Sequence, residues 1–406
     1  MAETTASGVR QRGQRLWRTL WNDGQGWILL TVSLGWALTI GTRIVYPALL
    51  PEIRLEFAFG YTTAGVLVGL VWAAYGITQF PGGLLADVTT ERTALVAGTA
   101  LTAVGICAVI VSPLFGLLVL ATFVMGAGTG IYGTSRVTVL SNAYPDNDST
   151  AIGVSQAAGN VGNAVFPVVA GVSSAYVGWR LGLGFLAPLL VVVTVGLWLT
   201  IPATASPRPS SSPARELVAR AGGALTSPPV YVGTGLLLAL MVVYQSLTGF
   251  LPTYLVDSKG ASSSEAAAVY GGFFAVAVLA QLVAGLLADR IGVRTTIGVF
   301  ASLSLPGFAM MLVADGLGAV LLGVAFLSAL LGCFPPAHSY LVNAFPSSIQ
   351  GTGYGVVRTV YIGFGAVGPV ATGLVVDIGS FSAAFLALGA LSAVIVVVGY
   401  ALPSTV

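Results

Sequence analysis

The feature that most restricts the fold of this sequence is a series of long apolar segments that recurs from Trp27 to Leu402. Each segment has about 20 residues or more, the length of α-helix that crosses about 30 Å of hydrocarbon. Of the 406 residues, 56% are hydrophobic and 7% are charged, whereas soluble domains carry about 25% charged residues. So much apolar surface cannot be buried in one aqueous core, and we therefore expect an integral membrane protein.

The apolar segments predict an all-α integral membrane protein with twelve transmembrane helices. Strands with alternating apolar and polar residues are absent from the sequence, which argues against a β-barrel. Short polar or Gly/Pro-containing stretches separate the segments. The predicted spans are residues 27–50, 61–86, 93–112, 114–141, 150–175, 181–201, 230–251, 264–288, 295–314, 316–341, 350–376 and 381–402.

The second half of the sequence repeats the first. The stretch QFPGGLLADVTTERTA begins at Gln79, and QLVAGLLADRIGVRTT begins 202 positions later at Gln281. The same offset joins Gly153 to Gly355. We therefore expect two six-helix pseudo-repeats, an architecture in which a transporter holds its substrate near the membrane midplane, between the halves.

This repeat predicts five segments along the chain. Residues 1–26 form a cytoplasmic tail, residues 27–201 and 230–402 form the two helical bundles, residues 202–229 form a cytoplasmic linker, and residues 403–406 form a second tail. The linker is rich in Pro, Ser, Ala and Arg. We expect it to be solvated or, alternatively, to contact anionic lipid headgroups.

Basic residues predict the orientation of the helices, because cytoplasmic loops carry an excess of Lys and Arg. With the N-terminus inside, ten basic residues are cytoplasmic and three are outside. The first 24 residues are polar and Arg-rich, unlike a signal peptide. We therefore expect a protein of the cytoplasmic membrane with both termini in the cytoplasm. The cytoplasmic set is Arg10, Arg12, Arg15, Arg18, Arg92, Arg208, Arg215, Arg220, Arg290 and Arg294, and the outer set is Arg54, Arg180 and Lys259.

Arg43 is a charge within the first predicted span, 16 residues after Trp27. This is about 24 Å along a helix, too deep for the side chain to reach the cytoplasm easily. An arginine in a membrane helix costs at least about 2.5–3.5 kcal/mol on insertion scales, so it normally faces a wet cavity or a partner. No acidic residue lies in the central part of any predicted span. We expect an anionic substrate to be the missing partner, the alternative being backbone carbonyls.

Four further polar residues within predicted spans are candidate substrate ligands. Arg358 lies 202 positions after Gln156, so both halves place a polar side chain at an equivalent depth. The same offset pairs His338 with Arg136. Arg136 lies close enough to a helix end to reach the interface instead. His338 has three possible roles, which are to carry a proton, to bind substrate or to be held by neighbouring carbonyls.

One loop resembles a known family signature. GLLADRIGVR, from Gly285 to Arg294, is similar to the loop motif of the major facilitator superfamily, and it follows the eighth predicted span. A degenerate copy follows the second span, with Val88 and Thr90 in place of the basic residue and the glycine. GWR at Gly178 is a further resemblance. With the twelve spans and the central linker, the resemblance covers essentially the whole chain and implies the superfamily fold.

The motif implies a gate at the cytoplasmic mouth. An acidic group there can accept hydrogen bonds from a helix N-terminus and pair with an arginine, and in the family this pairing favours the state closed to the cytoplasm. The alternative is a polar turn that serves orientation only. The predicted gate residues are Asp87, Arg92, Gly285, Asp289, Arg290, Gly292 and Arg294.

The first span resembles two anion-carrying branches of the superfamily. RIVYPALLPEI, which begins at Arg43, is similar to the first helix of organophosphate:phosphate antiporters and of anion:cation symporters. PTYL at Pro252 is similar to the end of the seventh helix of the first branch. That branch has a second arginine where this chain has Tyr244, and the symporters have an aspartate at Thr42. Tyr244 is therefore included among the predicted binding residues, and the arginine pair is incomplete.

These observations predict a secondary transporter of a small organic anion, a carboxylate or a phosphate ester, that works by alternating access. Without a carboxylate in the pathway, exchange or facilitated diffusion is favoured. The alternatives are an exporter of hydrophobic or cationic compounds and a membrane receptor on the same scaffold. We expect a monomer that is not an enzyme, with no cofactor, no metal and no nucleic-acid partner. GTGIYG at Gly128 lies inside a predicted span and is not a nucleotide motif.

Overall fold

The structure is a computed structural model, and it describes Trp21 and residues 25–203, 227–313, 316–346 and 350–403. Most of the predicted tail 1–26, most of the linker 202–229 and the last three residues lie outside the described residues. Within the described part of the chain, all regular secondary structure is helical. The predicted all-α fold class is therefore confirmed.

The helices follow one another with short connections. In the first half they are α1 Gln25–Ala48, α2 Leu50–Phe57, α3 Tyr61–Val88, α4 Glu91–Val111, α5 Phe115–Ala143, α6 Asp148–Gly184 and α7 Leu186–Thr200. In the second half they are α8 Pro228–Lys259, α9 Ser263–Ile291, α10 Val293–Val313, α11 Leu317–Ser328, α12 Phe334–Asn343, α13 Gln350–Gly365, α14 Val367–Ile378 and α15 Phe381–Tyr400. A 3₁₀ segment, Ala329–Cys333, joins α11 to α12.

These helices build the twelve expected crossings. The apolar stretch from Asp148 to Thr200 is helical almost throughout, but Gly178 interrupts it with φ of 78° and ψ of 160°. Only glycine adopts such a conformation without strain, so the chain turns there and crosses twice. The tenth crossing is α11, the 3₁₀ segment and α12, and the eleventh is α13 and α14. Pro335, at the start of α12, lacks the N–H that a continuous helix would need.

One short helix was not predicted. The first crossing ends at Ala48, and the chain then forms α2, in which Pro51 occupies the first turn. Proline is favoured there because the first helical N–H groups have no intrahelical partner. Ala58 closes α2 in the left-handed conformation, with φ of 52°. The helix places Glu52, Arg54 and Glu56 on the side of the molecule opposite the start of α1.

Two faces follow from this topology. We call the face on which α1 begins the proximal face; it also carries Thr89, between α3 and α4, and Gly292, between α9 and α10. The opposite, distal face carries the connections at Gly60 and Gly260. The two bundles meet where α3 packs on α13 and α14 and where α6 packs on α9.

The distal ends of the bundles are packed closely. A Cβ atom on Gly69 of α3 would lie 2.6 Å from the Ala366 carbonyl oxygen, so a larger residue would push the halves apart. Gly271 of α9 likewise packs against the Ala164 carbonyl of α6. Glycine at both contacts lets helix backbones approach closely, as is typical of membrane helix pairs.

Four side chains at this face form what we call the distal clasp: Arg54, Tyr61, Asp257 and Asp377. Arg54 donates to Asp257 at 2.6 Å, and the Tyr61 hydroxyl donates to the same carboxylate at 3.0 Å. Asp377 accepts from the backbone N–H groups of Tyr61 at 2.9 Å and Thr62 at 2.7 Å. These hydrogen bonds join the two halves of the molecule at the distal face. The molecule is therefore closed at its distal face.

Candidate functional site

A cavity of about 460 Å³ lies between the two bundles. Its walls come from α1, α3 and α6 of the first half and from α8, α9, α12, α13 and the 3₁₀ segment of the second half. The lining includes arginine, histidine, amide and aromatic side chains, and none of the described residues that line it is a carboxylate. Of the six predicted substrate ligands, five line this cavity: Arg43, Gln156, Tyr244, His338 and Arg358.

Arg43 is buried among aromatic rings. It is 2% exposed, and its guanidinium carbon lies 3.8 Å from the ring centroid of Tyr75 and 5.0 Å from that of Trp72. Trp36, two turns earlier on α1, is 5.7 Å away. Aromatic faces attract a cation, but they do not neutralise it as a carboxylate would. The Arg43 Nε has no hydrogen-bond partner among the described residues, so the cation still has capacity for an anion.

Tyr75 lies close to arginines from both halves of the molecule. The guanidinium carbon of Arg43 lies 3.8 Å from the centroid of the Tyr75 ring, and Arg358, which comes from α13, lines the same cavity and interacts electrostatically with Tyr75. Guanidinium groups from both bundles therefore lie near one tyrosine side chain. Tyr75 was not predicted from the sequence. The spacing between Tyr75 and Trp72 could have indicated it. The two residues lie one helical turn apart, so they place two polar aromatic side chains on one face of an apolar helix.

Arg136 does not line the cavity. It is 6% exposed, donates to the Ser155 hydroxyl at 3.1 Å and lies 4.1 Å from the centroid of the Trp36 ring. Trp36 thus has Arg43 and Arg136 as neighbours. Because the Arg136 charge also acts on Arg43 and Arg358, the three residues form one positively charged group, which we call the arginine cluster.

His338 contacts phenol side chains. Its Nε2 lies 3.3 Å from the Tyr361 hydroxyl, and that hydroxyl lies 3.3 Å from the hydroxyl of Tyr354. The His338 and Tyr361 rings stack with centroids 6.1 Å apart. One of the three roles predicted from the sequence was that backbone carbonyls hold His338. Among the described residues, its hydrogen-bond contact is with a phenol hydroxyl instead. Tyr354, Arg358 and Tyr361 follow one another at spacings of four and three, a helical stripe that the sequence displays.

Tyr244 belongs to a row of rings that crosses between the halves. Its centroid lies 5.7 Å from that of Trp72 on α3 and 5.6 Å from that of Phe334 on α12. Both pairs are edge-to-face, the geometry that aromatic quadrupoles favour. The position where the organophosphate branch has a second arginine is therefore filled by an aromatic residue that faces the same cavity.

Amide side chains line the part of the cavity formed by α6 and α9. Gln156, Asn160 and Asn163 come from α6, and Gln281 comes from α9. Of these four amides, Gln156 alone was predicted from the sequence. The spacings of four and three between the α6 amides predict one helical face, so the pattern was available in the sequence, but its direction towards the cavity was not.

The predicted gate loops lie on the proximal face. Asp87 and Asp289 are exposed and, within the described part of the chain, neither forms an ion pair or a hydrogen bond. Arg92 lies 3.8 Å from the centroid of the Trp198 ring, within its own half. Gly292, with φ of 85°, separates α9 from α10. Gly285 and the exposed Arg290 and Arg294 surround this turn. The gating role of these seven residues stays a prediction.

Comparison with known families identifies the architecture. The Major Facilitator Superfamily model matches residues 31–270 and 247–405. The chain belongs to the Major Facilitator Superfamily. The resemblance inferred from the loop motif is therefore confirmed, and the chain is a multi-pass membrane protein of this superfamily.

Several curated proteins of the superfamily are similar to the chain. The membrane sensor protein UhpC of Escherichia coli (strain K12) is 29% identical over 181 residues, which cover 42% of this chain and 39% of UhpC. The cis,cis-muconate transport protein of Acinetobacter baylyi is 24% identical over 355 residues, 84% of this chain and 85% of that protein. A probable hexose phosphate transport protein of Chlamydia trachomatis is 24% identical over 167 residues, 41% of this chain and 36% of that protein. The chain thus spans about two fifths of the length of UhpC.

Solved structures of superfamily members have the same fold. A bacterial homologue of the human lysosomal transporter Spinster, in an inward-facing and unoccupied conformation, matches with a TM-score of 0.80 at 16% identity, over 94% of this chain and 97% of that one. A D-xylose-proton symporter matches with a TM-score of 0.78 at 15% identity, over 93% of this chain and 98% of that one. At these identities the likeness concerns the fold alone.

Proposed function

We propose that this protein is a secondary transporter that moves a small organic anion across the cytoplasmic membrane by alternating access. One observation carries the proposal. Arg43 and Arg358, from opposite halves, both line a cavity in which none of the described lining residues is a carboxylate. A buried cation without a counter-ion is unfavourable, and a bound anion supplies the missing charge.

The arginines also suggest how binding couples to movement. An anion between Arg43 and Arg358 interacts with both bundles at once, so its binding favours their approach at the proximal face. Closure there would require the distal clasp to open, because the halves rock about the central site. The predicted gate residues Asp87 and Asp289 would then form their contacts in the proximally closed state, and they are free in the state described above.

The similar proteins support a carboxylate or a phosphate ester. One is named for transport of cis,cis-muconate, a dicarboxylate, and another for transport of hexose phosphate. Guanidinium groups bind both kinds of anion through paired N–H donors. An exporter of cationic compounds fits the cavity less well, because the arginine cluster would repel its substrate.

Exchange or facilitated diffusion is the transport mode that we propose. Proton coupling usually uses a titratable carboxylate in the pathway, and the cavity lining has none. The proximal face is proposed to be cytoplasmic, following the ten basic residues counted above. Three of these, Arg92, Arg290 and Arg294, belong to the described residues, and the other seven lie outside them.

Reconstitution in proteoliposomes tests the proposal. The purified protein would be incorporated into vesicles loaded with unlabelled anion, and exchange with labelled muconate or hexose 6-phosphate would be measured. We expect the anions to exchange and to compete with one another, and Arg43→Gln to abolish the exchange. The proposal fails if neutral sugars or cations move while carboxylates and phosphate esters neither move nor compete.

A receptor is the second candidate, and the similarity to UhpC favours it, because that protein is named a membrane sensor. A receptor on this scaffold would bind the same anions through the arginine cluster without net flux. Ligand binding by calorimetry and exchange in vesicles, measured on one preparation, separate the two functions. Binding with exchange supports the transporter, and binding without exchange supports the receptor.

A further inference from the structure

Four amide side chains form one wall of the cavity, which we call the amide wall: Gln156, Asn160, Asn163 and Gln281. The three on α6 follow at spacings of four and three residues, so they share one helical face over about 10 Å. An anion-binding site needs cationic groups, which the arginine cluster already provides. The amide wall therefore has a separate task.

Both halves of the molecule contribute to the wall. The contact between Ala164 of α6 and Gly271 of α9 gives a common reference point. From there towards the proximal face, Gln156 lies eight residues away along α6, about 12 Å. Gln281 lies ten residues away along α9, about 15 Å. Gln156 and Gln281, one from each bundle, thus lie at a similar depth, and Asn160 and Asn163 continue the wall towards the distal face.

The amides are not satisfied by the protein. Asn163 is 6% exposed, and its Oδ1 has no hydrogen-bond partner in the described parts of the chain. Gln156 is exposed, Asn160 and Gln281 are partly exposed, and none of the three forms a hydrogen bond with any described residue. Buried polar groups in native proteins are nearly always paired, so the Asn163 amide requires a partner from outside the protein, either a water molecule or a ligand.

The chemistry of an amide restricts what that group is. Each amide offers one acceptor oxygen and an NH₂ donor, whichever way the side chain is turned. A carboxylate or phosphate oxygen satisfies the donor only, since it has no proton to give. An ammonium group would donate, but Arg43 and Arg358 repel a cation in the same cavity. A hydroxyl group both donates and accepts, and it is uncharged.

We propose that the amide wall binds the hydroxyl groups of a hydroxylated organic anion, such as a sugar acid or a sugar phosphate. The acidic group of this substrate lies at Arg43 and Arg358, and its carbon chain reaches towards α6 and α9. The inference rests on the proposed function, because it places an anion in the same cavity.

Matched ligands test the inference on the purified full-length protein. Glucarate and adipate are six-carbon dicarboxylates that differ only in four hydroxyl groups, and glucose 6-phosphate and hexyl phosphate form a second pair. Dissociation constants would be measured by titration calorimetry. We expect the hydroxylated member of at least one pair to bind about tenfold more tightly or better, the gain that two or more additional hydrogen bonds give.

Variants of the wall connect this preference to the amides. Asn163→Leu should reduce the preference to about twofold or less and leave the affinity for adipate or hexyl phosphate unchanged. Gln281→Leu should act in the same way from the other half, and it carries the test if Asn163→Leu does not purify as a monodisperse protein. Gln79→Leu is the matched control. Gln79 is a buried amide 202 positions before Gln281 that does not line the cavity, so the preference should persist.

Each negative result has its own meaning. If adipate and hexyl phosphate bind as tightly as their hydroxylated partners, or if Asn163→Leu weakens both members of a pair equally, the role of the amide wall is refuted. If none of the four anions binds and Arg43→Gln changes nothing, the proposed function fails and this inference fails with it. The Arg43→Gln variant should weaken all four ligands alike, which separates recognition of the charge from recognition of the hydroxyl groups.

Discussion

The carboxylate of Asp377 accepts a hydrogen bond from the backbone N–H of Tyr61 at 2.9 Å and so joins the last turn of α14 to the first turn of α3. The two helices belong to different halves of the chain. A negative charge at a helix N-terminus also interacts favourably with the helix dipole. The residue therefore stabilises the distally closed state across the interface between the bundles.

Removing this carboxylate should shift the equilibrium towards the distally open state. Asp377 is exposed, so a charge at a helix N-terminus contributes about 0.3–1 kcal/mol, a shift of about two- to fivefold. Val68, buried on α3 beneath the clasp, can be replaced by cysteine in a chain that lacks Cys107 and Cys333. We expect Asp377→Ala to increase the rate at which an impermeant maleimide, added at the distal face, labels the cysteine introduced at position 68.

Glu265 supplies the control for the clasp. It is another acidic residue at the distal face, but its carboxylate caps α9 through Ser262, within one half. Glu265→Ala should therefore leave the labelling rate of the Val68→Cys reporter unchanged. An equal acceleration by both variants would mean that loss of a helix cap, and not loss of the link between the halves, exposes the site.

The two gate loops should be unequal in their effect on transport. Asp289 is followed by Arg290, whereas Asp87 is followed by Val88 and the nearby Arg92 lies over Trp198. We expect Asp289→Asn to slow exchange by about two- to fivefold, the effect of losing about 0.5–1 kcal/mol from an exposed ion pair. Asp87→Asn should have a smaller effect. Exchange rates at matched protein content in vesicles measure the difference, and equal losses would contradict the prediction.

Arg43 should determine affinity for the substrate. Arg43→Lys keeps the charge but loses planar bidentate recognition, so we expect the affinity for anions to fall about 10- to 100-fold, as for one hydrogen bond to a charged group. Arg43→Gln should nearly abolish exchange while the protein still purifies as a monodisperse species. Apparent affinity and purified yield would be measured together for both variants.

Arg180 shows how a structural arginine would behave in the same experiment. It donates to the carbonyl oxygens of Ile110 at 2.9 Å and Ser112 at 3.0 Å and pairs with Glu56, away from the cavity. Arg180→Lys should lower the yield and leave affinity normal. If Arg43→Gln shows this pattern, its role is in packing and not in substrate binding.

The Glu56 site should make stability depend on pH. The hydrogen bond from Arg180, aided by one from the Trp179 indole at 2.6 Å, holds the pKa of Glu56 below its usual range. In the unfolded chain this pKa returns to about 4.3. The pair therefore stabilises the fold at neutral pH, and this contribution is lost as the pH falls below about 4.3.

Thermal unfolding in detergent can detect this contribution. Both partners are partly exposed, so it should be below about 1 kcal/mol. Glu56→Gln should lower Tm at pH 7, and its difference from the wild type should shrink at pH 3.5. The Glu56→Gln, Arg180→Gln double variant should show the same loss of pH dependence. A difference between the wild type and Glu56→Gln that grows on acidification would reverse the sign and refute the assignment.

The sequence determined the crossings and the repeat, because these depend on local composition and on an offset of 202 positions. It also identified Arg43 and Arg358, since a charge within an apolar helix is conspicuous without any structure. It did not reveal Tyr75, because a tyrosine in a membrane helix is ordinary until its neighbours are known. The stripe on α6 was visible as a spacing, but the spacing does not say whether it faces lipid, helix or cavity.

Tertiary structure alone decided which charges meet. Arg136 and Arg43 are both buried, yet Trp36 stands between Arg136 and the cavity, a placement that depends on how α1, α5 and α6 pack. The distal clasp joins Arg54 to Asp257 across 203 positions of chain, and no local pattern specifies that pair. Hydropathy records how each residue partitions between water and lipid, whereas a contact between helices depends on their rotation and depth. The sequence by itself therefore fixed the membrane fold, and the packing of its two halves fixed the site.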